Sequence, residues 1–467
     1  MRRKRNPAGQ GGQALIYGMF VLIGGVAGLF FLFNAGQLVR EKTKLVNTAD
    51  AVAYSAGVMN ARALNFQAYG NRAMVANSVA IGQLVSLSSW AAYADTLGAV
   101  GGFTALQPKF SPFFASYYAA ANAGSYLQSL NNGTLEQMAR ASDGIVHNLL
   151  KQSQDAVYRG LLPARATVMD EVAQANYTGD GQVVVDNVSL LETDYGDFVA
   201  NYSGAKRSRF KEVVVTAIDK DLFVPARSWT LPAIPFLPSQ CPGANARGQV
   251  DWFFRRGGTA LLGFDEWRAL DTLSEKKWVP RNKLDLPCSV LVENPTGWGG
   301  RSAGEAASGE SDWAHYDYAK IVNPATAGLA TLSSEAWDYR GLPAFHDLAN
   351  NVLQQSDPRL KLAVRVRRER AQTLTSEGRS DVRSGPRLNA YRAMLKQGDD
   401  LVAVSASEAF FERNAANRDN VHGVGIGRPM EIGSLFNPFW HVRLIHSPEG
   451  IDRAQADKGV SLRSAAR

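Results

Sequence analysis

The sequence predicts an α+β protein in which a membrane-spanning N-terminal helix continues into a long helical stalk and then into a β-rich or α+β head outside the cytoplasm. An uncharged apolar segment near the N-terminus, the absence of proline between Pro7 and Pro108, and β-branched segments after about residue 178 support this prediction. The predicted domains are a basic tip (1–13), a transmembrane helix (14–36), a helical stalk (37–177), a head (178–451) and a polar tail (452–467).

The apolar segment Ala14–Phe33 contains twenty residues without a charge. At about 1.5 Å per residue a helix of this length spans about 30 Å, the thickness of a hydrocarbon core. The basic cluster Arg2–Arg5 precedes it, so the positive-inside rule favours a cytoplasmic N-terminus. A cleaved signal peptide is one alternative, although its apolar region is shorter and Phe33 replaces the small residue expected before the cut. A buried helix of a soluble protein is another, but it would need no basic flank.

The stalk prediction depends on proline and on apolar spacing. Proline breaks helices, so its absence permits one nearly continuous helix. Gly57, Gly70 and Gly82 predict local weakening and bends. The expected buried face follows a three-to-four-residue rhythm. Its members are Leu38, Leu45, Ala49, Val52, Ala56, Met59, Ala63 and Phe66.

Two features of this helix leave alternatives open. Its small and amide side chains suit packing within its own domain or against helices of other subunits. Residues 73–94 are uncharged and could form a second span, but their Asn, Gln and Ser side chains are a heavy polar load for lipid. Within the first span, Gly24, Gly28 and Gly36 recur at multiples of four residues, a spacing that allows close helix contact in lipid.

The head is predicted from β-branched and alternating segments. Pro163 and the sequence Asn131–Gly133 are expected to break the preceding helical region, and Gly297–Ser311 is expected to form an exposed loop. The expected strands are Gln182–Val185, Glu212–Ile218, Leu362–Arg367, Asp400–Ser405 and His441–Leu444.

Charge and cysteine content exclude several functions. The net charge is +7, but Arg2–Arg5 supply four of these charges, so no large basic surface for nucleic acid is implied. The two cysteines, Cys241 and Cys288, lack further ligands at zinc spacing. On the oxidising side of a membrane they could form a disulfide; two buried free thiols are the alternative.

Motifs for catalysis are weak. Gly300–Gly304 matches Gly-x-Ser-x-Gly around Ser302, but an apolar strand should precede a nucleophile elbow and here a glycine-rich segment does. His441 and His446 are spaced poorly for a shared metal ion and are expected to be structural or surface residues. The arginine run Arg365, Arg367, Arg368 and Arg370 is expected to form a solvated face, with contact to an acidic partner as the alternative. We therefore expect no enzymatic activity, no catalytic residue, no cofactor, no metal and no small-molecule substrate.

The order of the N-terminal features resembles that of the TadE/TadG-like proteins of Tad (tight adherence) pilus assembly. That resemblance rests on a basic tip, a Gly-Gln-Ala-Leu entry into the span and a following Asn-x-Ala-Asp-Ala-x-Ala signature, and it covers about residues 11–56. Ser434–Trp440 is similar to a C-terminal feature of large TadG-like proteins. The matching signature residues are Gly12, Gln13, Ala14 and Leu15, and then Asn47, Ala49, Asp50, Ala51 and Ala53.

The resemblance implies a structural or assembly component of a Tad/Flp-type surface pilus in the bacterial inner membrane. It would pass the membrane once, place most of its chain in the periplasm and contact pilins or other pilus-assembly proteins. Processed family members carry a Glu five positions after the cleaved Gly, where this chain has Ile16 or Tyr17, so the uncut TadG-like form fits better. No Asp-x-Ser-x-Ser motif occurs, so metal-dependent adhesion is not expected. A periplasmic membrane-anchored enzyme or envelope-binding protein is the alternative function.

Overall fold

The computed structural model describes residues 11–99, 126, 128–188, 195–232, 252–281, 290–305, 323–375, 379, 400–413 and 433–456. These residues confirm the α+β fold class, with a long N-terminal helix followed by further helices and two antiparallel-rich sheets. They fall into two compact units. Unit 1 draws on Met1–Ala68, Val157–Ala200 and Leu348–Arg467, and unit 2 on Tyr69–Ala156 and Asn201–Asp347.

Helix α1 runs without interruption over Gly11–Ala99, 89 residues. Gly57, Gly70 and Gly82, where weakening was expected, all lie inside this uninterrupted helix, and they serve a packing purpose. A side chain at Gly57 would come within 2.4 Å of Val442, and one at Gly82 within 3.2 Å of Trp267. The missing side chains therefore let facing residues approach the helix.

The remaining helices are shorter. Pro163 lies inside an unbroken helix rather than ending one, because Leu161 and Met169 on either side of it are buried in the core of unit 1. Two π-helical turns, Asn131–Leu135 and Ile145–Leu150, precede this helix. The further α-helices are α2 Glu136–Gly144, α3 Lys151–Asn176, α4 Tyr195–Phe198, α5 Ser208–Ile218, α6 Pro324–Leu332, α7 Asn350–Leu353 and α8 Pro448–Ala456.

The strands form three sets. They are β1 Val184–Val188, β2 Val199–Tyr202, β3 Trp229–Pro232, β4 Trp252–Leu262, β5 Glu266–Val279, β6 Val290–Gly304, β7 Glu335–Trp337, β8 Phe345–Leu348, β9 Arg359–Arg368, β10 Leu401–Phe411 and β11 Trp440–Ile445. Strands β2 and β8 form a two-stranded pair.

Unit 1 contains the antiparallel sheet β1-β9-β10-β11. Its principal core lies between this sheet, α3 and the part of α1 that begins at Leu45. Val364 and Val366 of β9 pack there with Ala49 and Val52 of α1. A neighbouring cluster joins Leu64 of α1 to residues of α4, α7 and β11.

Unit 2 contains the sheet β3-β4-β5-β6-β7, in which only the short β6–β7 pairing is parallel among the described residues. The C-terminal part of α1 crosses this sheet, and Tyr93 and Leu97 pack against Leu273 of β5. Helix α6 covers β5 and β6, where Ala327 and Ala330 contact Leu270.

Two local predictions in the head are wrong. Glu212–Ile218 lies in α5, because Phe210, Val214 and Ile218 are buried at a spacing of four residues and this helical face overrides the β-propensity of the valines. The first part of the predicted loop Gly297–Ser311 is strand β6, whose glycines pack closely against α1 and α6. Helix α3 ends at Asn176, next to the predicted stalk–head boundary. The stalk and head limits themselves stay predictions, since each compact unit combines helical and sheet segments.

Candidate membrane anchor and signature segment

The apolar segment of α1 is uncovered by the rest of the chain. Leu15 is 77% exposed and Val21 75%. Among the described residues, α1 is the one helix long and apolar enough to cross a membrane. The rest of the chain buries none of its most apolar 18-residue stretch. Large apolar side chains exposed on every face of a helix are unfavourable in water and favourable in hydrocarbon. The segment therefore has the composition and exposure of a lipid-facing helix.

The predicted contact glycines lie in this segment and face open space. A side chain added at Gly24, Gly28 or Gly36 would meet no atom of the chain within 4 Å. Their surface is thus available to a partner helix.

The Gly-Gln-Ala-Leu entry, Gly12, Gln13, Ala14 and Leu15, forms the beginning of α1. The second part of the family signature lies in the same helix, about nine turns on, and separates into two faces. Ala49 and Ala53 are fully buried against unit 1, where the hydroxyl of Ser407 donates a hydrogen bond of 2.6 Å to the carbonyl of Ala53. Asn47 is exposed, and Asp50 and Ala51 are half-buried. The alanines therefore permit close helix–sheet packing, while Asn47 and Asp50 lie toward solvent.

The C-terminal motif Ser434–Trp440 closes unit 1 onto the same helix. The side-chain amide of Asn65 donates to the Trp440 carbonyl at 2.9 Å and accepts from the Trp440 amide at 3.0 Å. The Trp440 ring packs edge-on against Phe198 and Phe411, with centroid distances of 5.8 and 5.5 Å. The motif is thus a packing element that fixes the chain beside α1.

A family model described as "Putative Flp pilus-assembly TadE/G-like" matches residues 9–63. Residues 9–63 are a TadE/G-like segment. The match confirms the predicted TadG-like character of the N-terminal region and supports a role associated with a Tad pilus. No curated protein and no solved structure matches the chain. The family and the uncovered apolar helix together indicate a membrane-anchored protein.

Directly after the apolar segment, the TadE/G-like helix is held to unit 1 by charges. Glu41, 1% exposed, lies 3.2 Å from the Arg368 guanidinium. Arg368 also donates to the carbonyls of Gln372 at 3.0 Å and Asp180 at 2.6 Å. Burial raises the pKa of the Glu41 carboxyl, and the charge of Arg368 only partly opposes this effect. One turn on, Lys44 pairs with Asp180.

The arginine run of β9 is therefore not a solvated face. Arg365 is 3% exposed and lies 3.1 Å from Asp186, which also pairs with half-buried Arg367 at 2.8 Å. Arg367 bonds Asp400 as well, at 3.1 Å. Arg365 and Arg367 share one face of β9 and Arg368 lies on the other, and the sequence did not reveal that acidic residues from β1 and α1 meet them.

Unit 2 contains a buried charge cluster that the sequence analysis missed. Asp271 of β5 is 0% exposed and accepts two hydrogen bonds from Arg227, at 2.8 and 2.9 Å. Arg255 donates a third at 2.5 Å, and the Ser89 hydroxyl of α1 a fourth at 2.6 Å. Burial by itself raises the pKa of Asp271, but the two guanidinium groups outweigh it and hold the pKa below its usual range.

This cluster explains the composition of the candidate second span. Residues 73–94 belong to α1, where Ser86 shares a 2.6 Å hydrogen bond with Thr259 and Ser89 bonds Asp271. The sheet of unit 2 buries one face of this uncharged part of the helix, and Ser86, Ser88 and Ser89 have hydrogen-bond partners there. Burial in protein explains the composition without a second crossing of the membrane.

The geometry does not support the Ser302 hydrolase elbow. Ser302 lies within strand β6, opposite Arg268 of β5 and Ala336 of β7. A nucleophile elbow needs a turn from strand to helix. Gly300 instead makes room for the carbonyl of Ala330 in α6, which a side chain would approach to 2.2 Å.

The other predicted site residues fall into two groups. His441 and His446 are exposed, and His441 lies 3.0 Å from the Glu412 carbonyl. Cys241 and Cys288 lie outside the described residues, so their disulfide stays a prediction.

Proposed function

We propose that this chain is a structural or assembly component of a Tad/Flp-type surface pilus that acts through protein–protein contacts. The match of residues 9–63 to a pilus-assembly family is the observation that carries the proposal. The same segment begins with an uncovered apolar helix and ends in the packed core of unit 1. Such a helix suits a subunit whose folded part is kept at the membrane where a pilus is built.

In this proposal residues 14–36 cross the bacterial inner membrane once. The basic residues Arg2–Arg5 favour a cytoplasmic N-terminus, which puts both compact units in the periplasm. A disulfide between Cys241 and Cys288 belongs to the same proposal because the periplasm is oxidising. The predicted stalk and head would then be the parts that meet other pilus-assembly proteins or pilins.

The glycine face of the span is the proposed contact in the membrane. Gly24 and Gly28 leave a small-residue surface with open space beside it, and small residues let helices approach closely in lipid. Leucine at position 28 would fill this space but remain compatible with lipid. Val26 lies on the opposite side of the helix and supplies a matched position for the control.

The experiment compares the gene deletion, Gly28→Leu and the control Val26→Leu, with pili counted by electron microscopy and partners identified by co-purification. We expect the deletion to remove most pili, and Gly28→Leu to reduce pili and co-purifying partners at an unchanged membrane level of the protein. Val26→Leu should leave all three unchanged. Normal pilus number in the deletion strain would contradict the proposed function. Loss in the deletion but not in Gly28→Leu would show that the span is only a tether.

A further inference from the structure

The end of the apolar segment and the beginning of the packed part of unit 1 are almost the same point on α1. Leu38, two residues past Gly36, already packs against the principal core of unit 1. Glu41 is buried against Arg368. Five helical residues rise about 7.5 Å, and the headgroup layer on one side of a bilayer is roughly 5–7 Å thick. The packed part of unit 1 therefore begins about one headgroup-layer thickness beyond the end of the span.

The contacts of this part of α1 identify which end of unit 1 lies there. Glu41 meets Arg368 at the end of β9, and Lys44 meets Asp180 in the turn after α3. The Lys42 ammonium donates to the carbonyl of Val402 at the start of β10. Because α1 is continuous, these three places are fixed in height relative to the span. A helix tilt of about 20° would change that height by only a few per cent.

The charge of this end suits an anionic surface. Arg40 and Lys42 are exposed on α1, and the Arg379 side chain is 33% exposed beside Asp180. Three acidic groups at this end are engaged within the fold, Glu41 with Arg368, Asp180 with Lys44, and Asp400 with Arg367, whereas Glu369, directly after β9, is exposed. Arg40 is exposed, and Arg379, although it lies 3.5 Å from Asp180, keeps a third of its side chain exposed, so both can reach the phosphate groups of an anionic membrane, which attract Lys and Arg side chains.

We propose that this end of unit 1 rests on the bilayer, with the turn Thr178–Gly181 at the outer edge of the headgroup layer and with Arg40 and Arg379 contacting phospholipid phosphates. The inference depends on the proposed membrane anchor and adds the orientation of unit 1 on it. The partner is the lipid surface on the side of the membrane where the helix emerges.

The opposite end of unit 1 supplies the control. There Leu64 of α1 packs with Val352 of α7 and Leu435 of the C-terminal motif. Leu64 lies 28 residues beyond Gly36, about 42 Å along the helix. Gln355, exposed and just after α7, is thus far above any headgroup.

The experiment uses the full chain in phospholipid nanodiscs, with a fluorescent non-natural residue replacing Thr178, Gln355 or, as the anchor reference, Leu29. Quenching is measured with lipids spin-labelled at the headgroup or in the acyl chain. We expect headgroup labels to remove most of the fluorescence at position 178 and none at 355, and acyl-chain labels to quench position 29. Circular dichroism matched between the three proteins confirms a common fold.

The outcomes separate the two proposals. No quenching at position 29 would overturn the anchor itself. If position 29 is quenched but position 178 is not, or if positions 178 and 355 are quenched equally, the orientation alone is overturned.

The basic contacts are tested by comparing phosphatidylglycerol with phosphatidylcholine nanodiscs. Quenching at position 178 should be stronger with phosphatidylglycerol, and R40Q/R379Q should remove the difference. Equal quenching of the unaltered chain in both lipids would overturn the assigned phosphate contacts.

Discussion

Helix α1 is buried twice along its length, and the two buried parts use different chemistry. In unit 1 it contributes Leu45, Ala49, Val52, Ala53 and Ala56, all 0% exposed, to an apolar core. In unit 2 it contributes serines that hydrogen-bond the sheet. An apolar contact is non-directional and tolerates small shifts, whereas a buried polar contact needs each partner in place. Unit 1 also has directional contacts, such as Glu41 with Arg368 and Ser407 with the Ala53 carbonyl, so the difference lies in the side chains that α1 contributes to each interface: mainly apolar ones in unit 1 and hydrogen-bonded serines in unit 2.

The glycines that pack at the two interfaces of α1 also differ in what they contact. In unit 1, a side chain at Gly57 would meet the tips of Val442 and Ser407. In unit 2, a side chain at Gly299 of β6 would come within 2.2 Å of the Tyr93 amide nitrogen and 2.3 Å of the Ser89 carbonyl oxygen. The sheet of unit 2 thus touches the helix backbone itself, which cannot move aside as a side chain can.

The largest expected contrast lies between the two buried carboxylates. Asp271 faces two buried arginines and its pKa is lowered, whereas Glu41 faces one and burial raises its pKa. Asp271→Asn leaves two guanidinium groups without a countercharge, so we expect it to lower the free energy of unfolding of unit 2 by about 3–5 kcal/mol. Glu41→Gln should lower that of unit 1 by less, because burial already favours the neutral form of the Glu41 carboxyl, which glutamine resembles.

Chemical denaturation of each full-length variant in detergent at pH 7 measures both changes. The two carboxylates should also respond oppositely to acid. The stabilisation from Asp271 is full above the ordinary carboxyl pKa and is lost as pH falls through its lowered value. The contribution of Glu41 is greatest at low pH and is lost as pH rises through its raised value. Equal losses in the two variants would contradict the contrast.

A smaller effect is expected from His346 in unit 2. This side chain is 1% exposed, with its Nε2 atom 3.6 Å from Asp155. Burial, aided by the charge of Lys151, lowers its pKa from 6.5 to about 4. Between these values the unfolded chain binds the proton first, so stability should fall by about 3 kcal/mol as pH decreases from 6.5 to 4.

His346→Gln should flatten this part of the pH profile, whereas the exposed His446→Gln in unit 1 should leave it unchanged. Denaturation midpoints of the three proteins between pH 7 and pH 4 provide the measurement. A profile of His346→Gln as steep as that of the unaltered chain would assign the acid sensitivity to other groups.

Much of the fold was predictable where local pattern and tertiary contact agree. The uninterrupted α1 follows from the missing prolines. The predicted strands Leu362–Arg367 and His441–Leu444 lie in the sheet of unit 1, as does Asp400–Ser405 from Leu401 onward. On the predicted helix face, Leu45, Ala49, Val52, Ala56 and Ala63 are buried, but Phe66 is 41% exposed. The predicted face repeats every seven residues, but seven residues of an α-helix fall about 20° short of two full turns. The predicted face therefore drifts away from the buried one as the helix lengthens.

What could not be predicted depends on contacts between distant segments. The cluster at Asp271 joins α1, β4, β5 and the segment before β3, and no local spacing connects Ser89 with Arg227. The serines between residues 78 and 89 were interpreted as a polar load that argues against a second span. The actual role of Ser86, Ser88 and Ser89, hydrogen bonding to a sheet formed from residues 229–337, requires the tertiary structure.

The central claim is that the apolar part of α1 crosses the membrane and that the packed parts of both compact units lie on the periplasmic side. Reporter fusions after Arg467 of the full chain test it most directly. We expect an alkaline phosphatase fusion to be active and a fluorescent reporter that folds only in the cytoplasm to be dark. An inactive phosphatase together with a bright cytoplasmic reporter would contradict the account, because it would return both compact units to the cytoplasm.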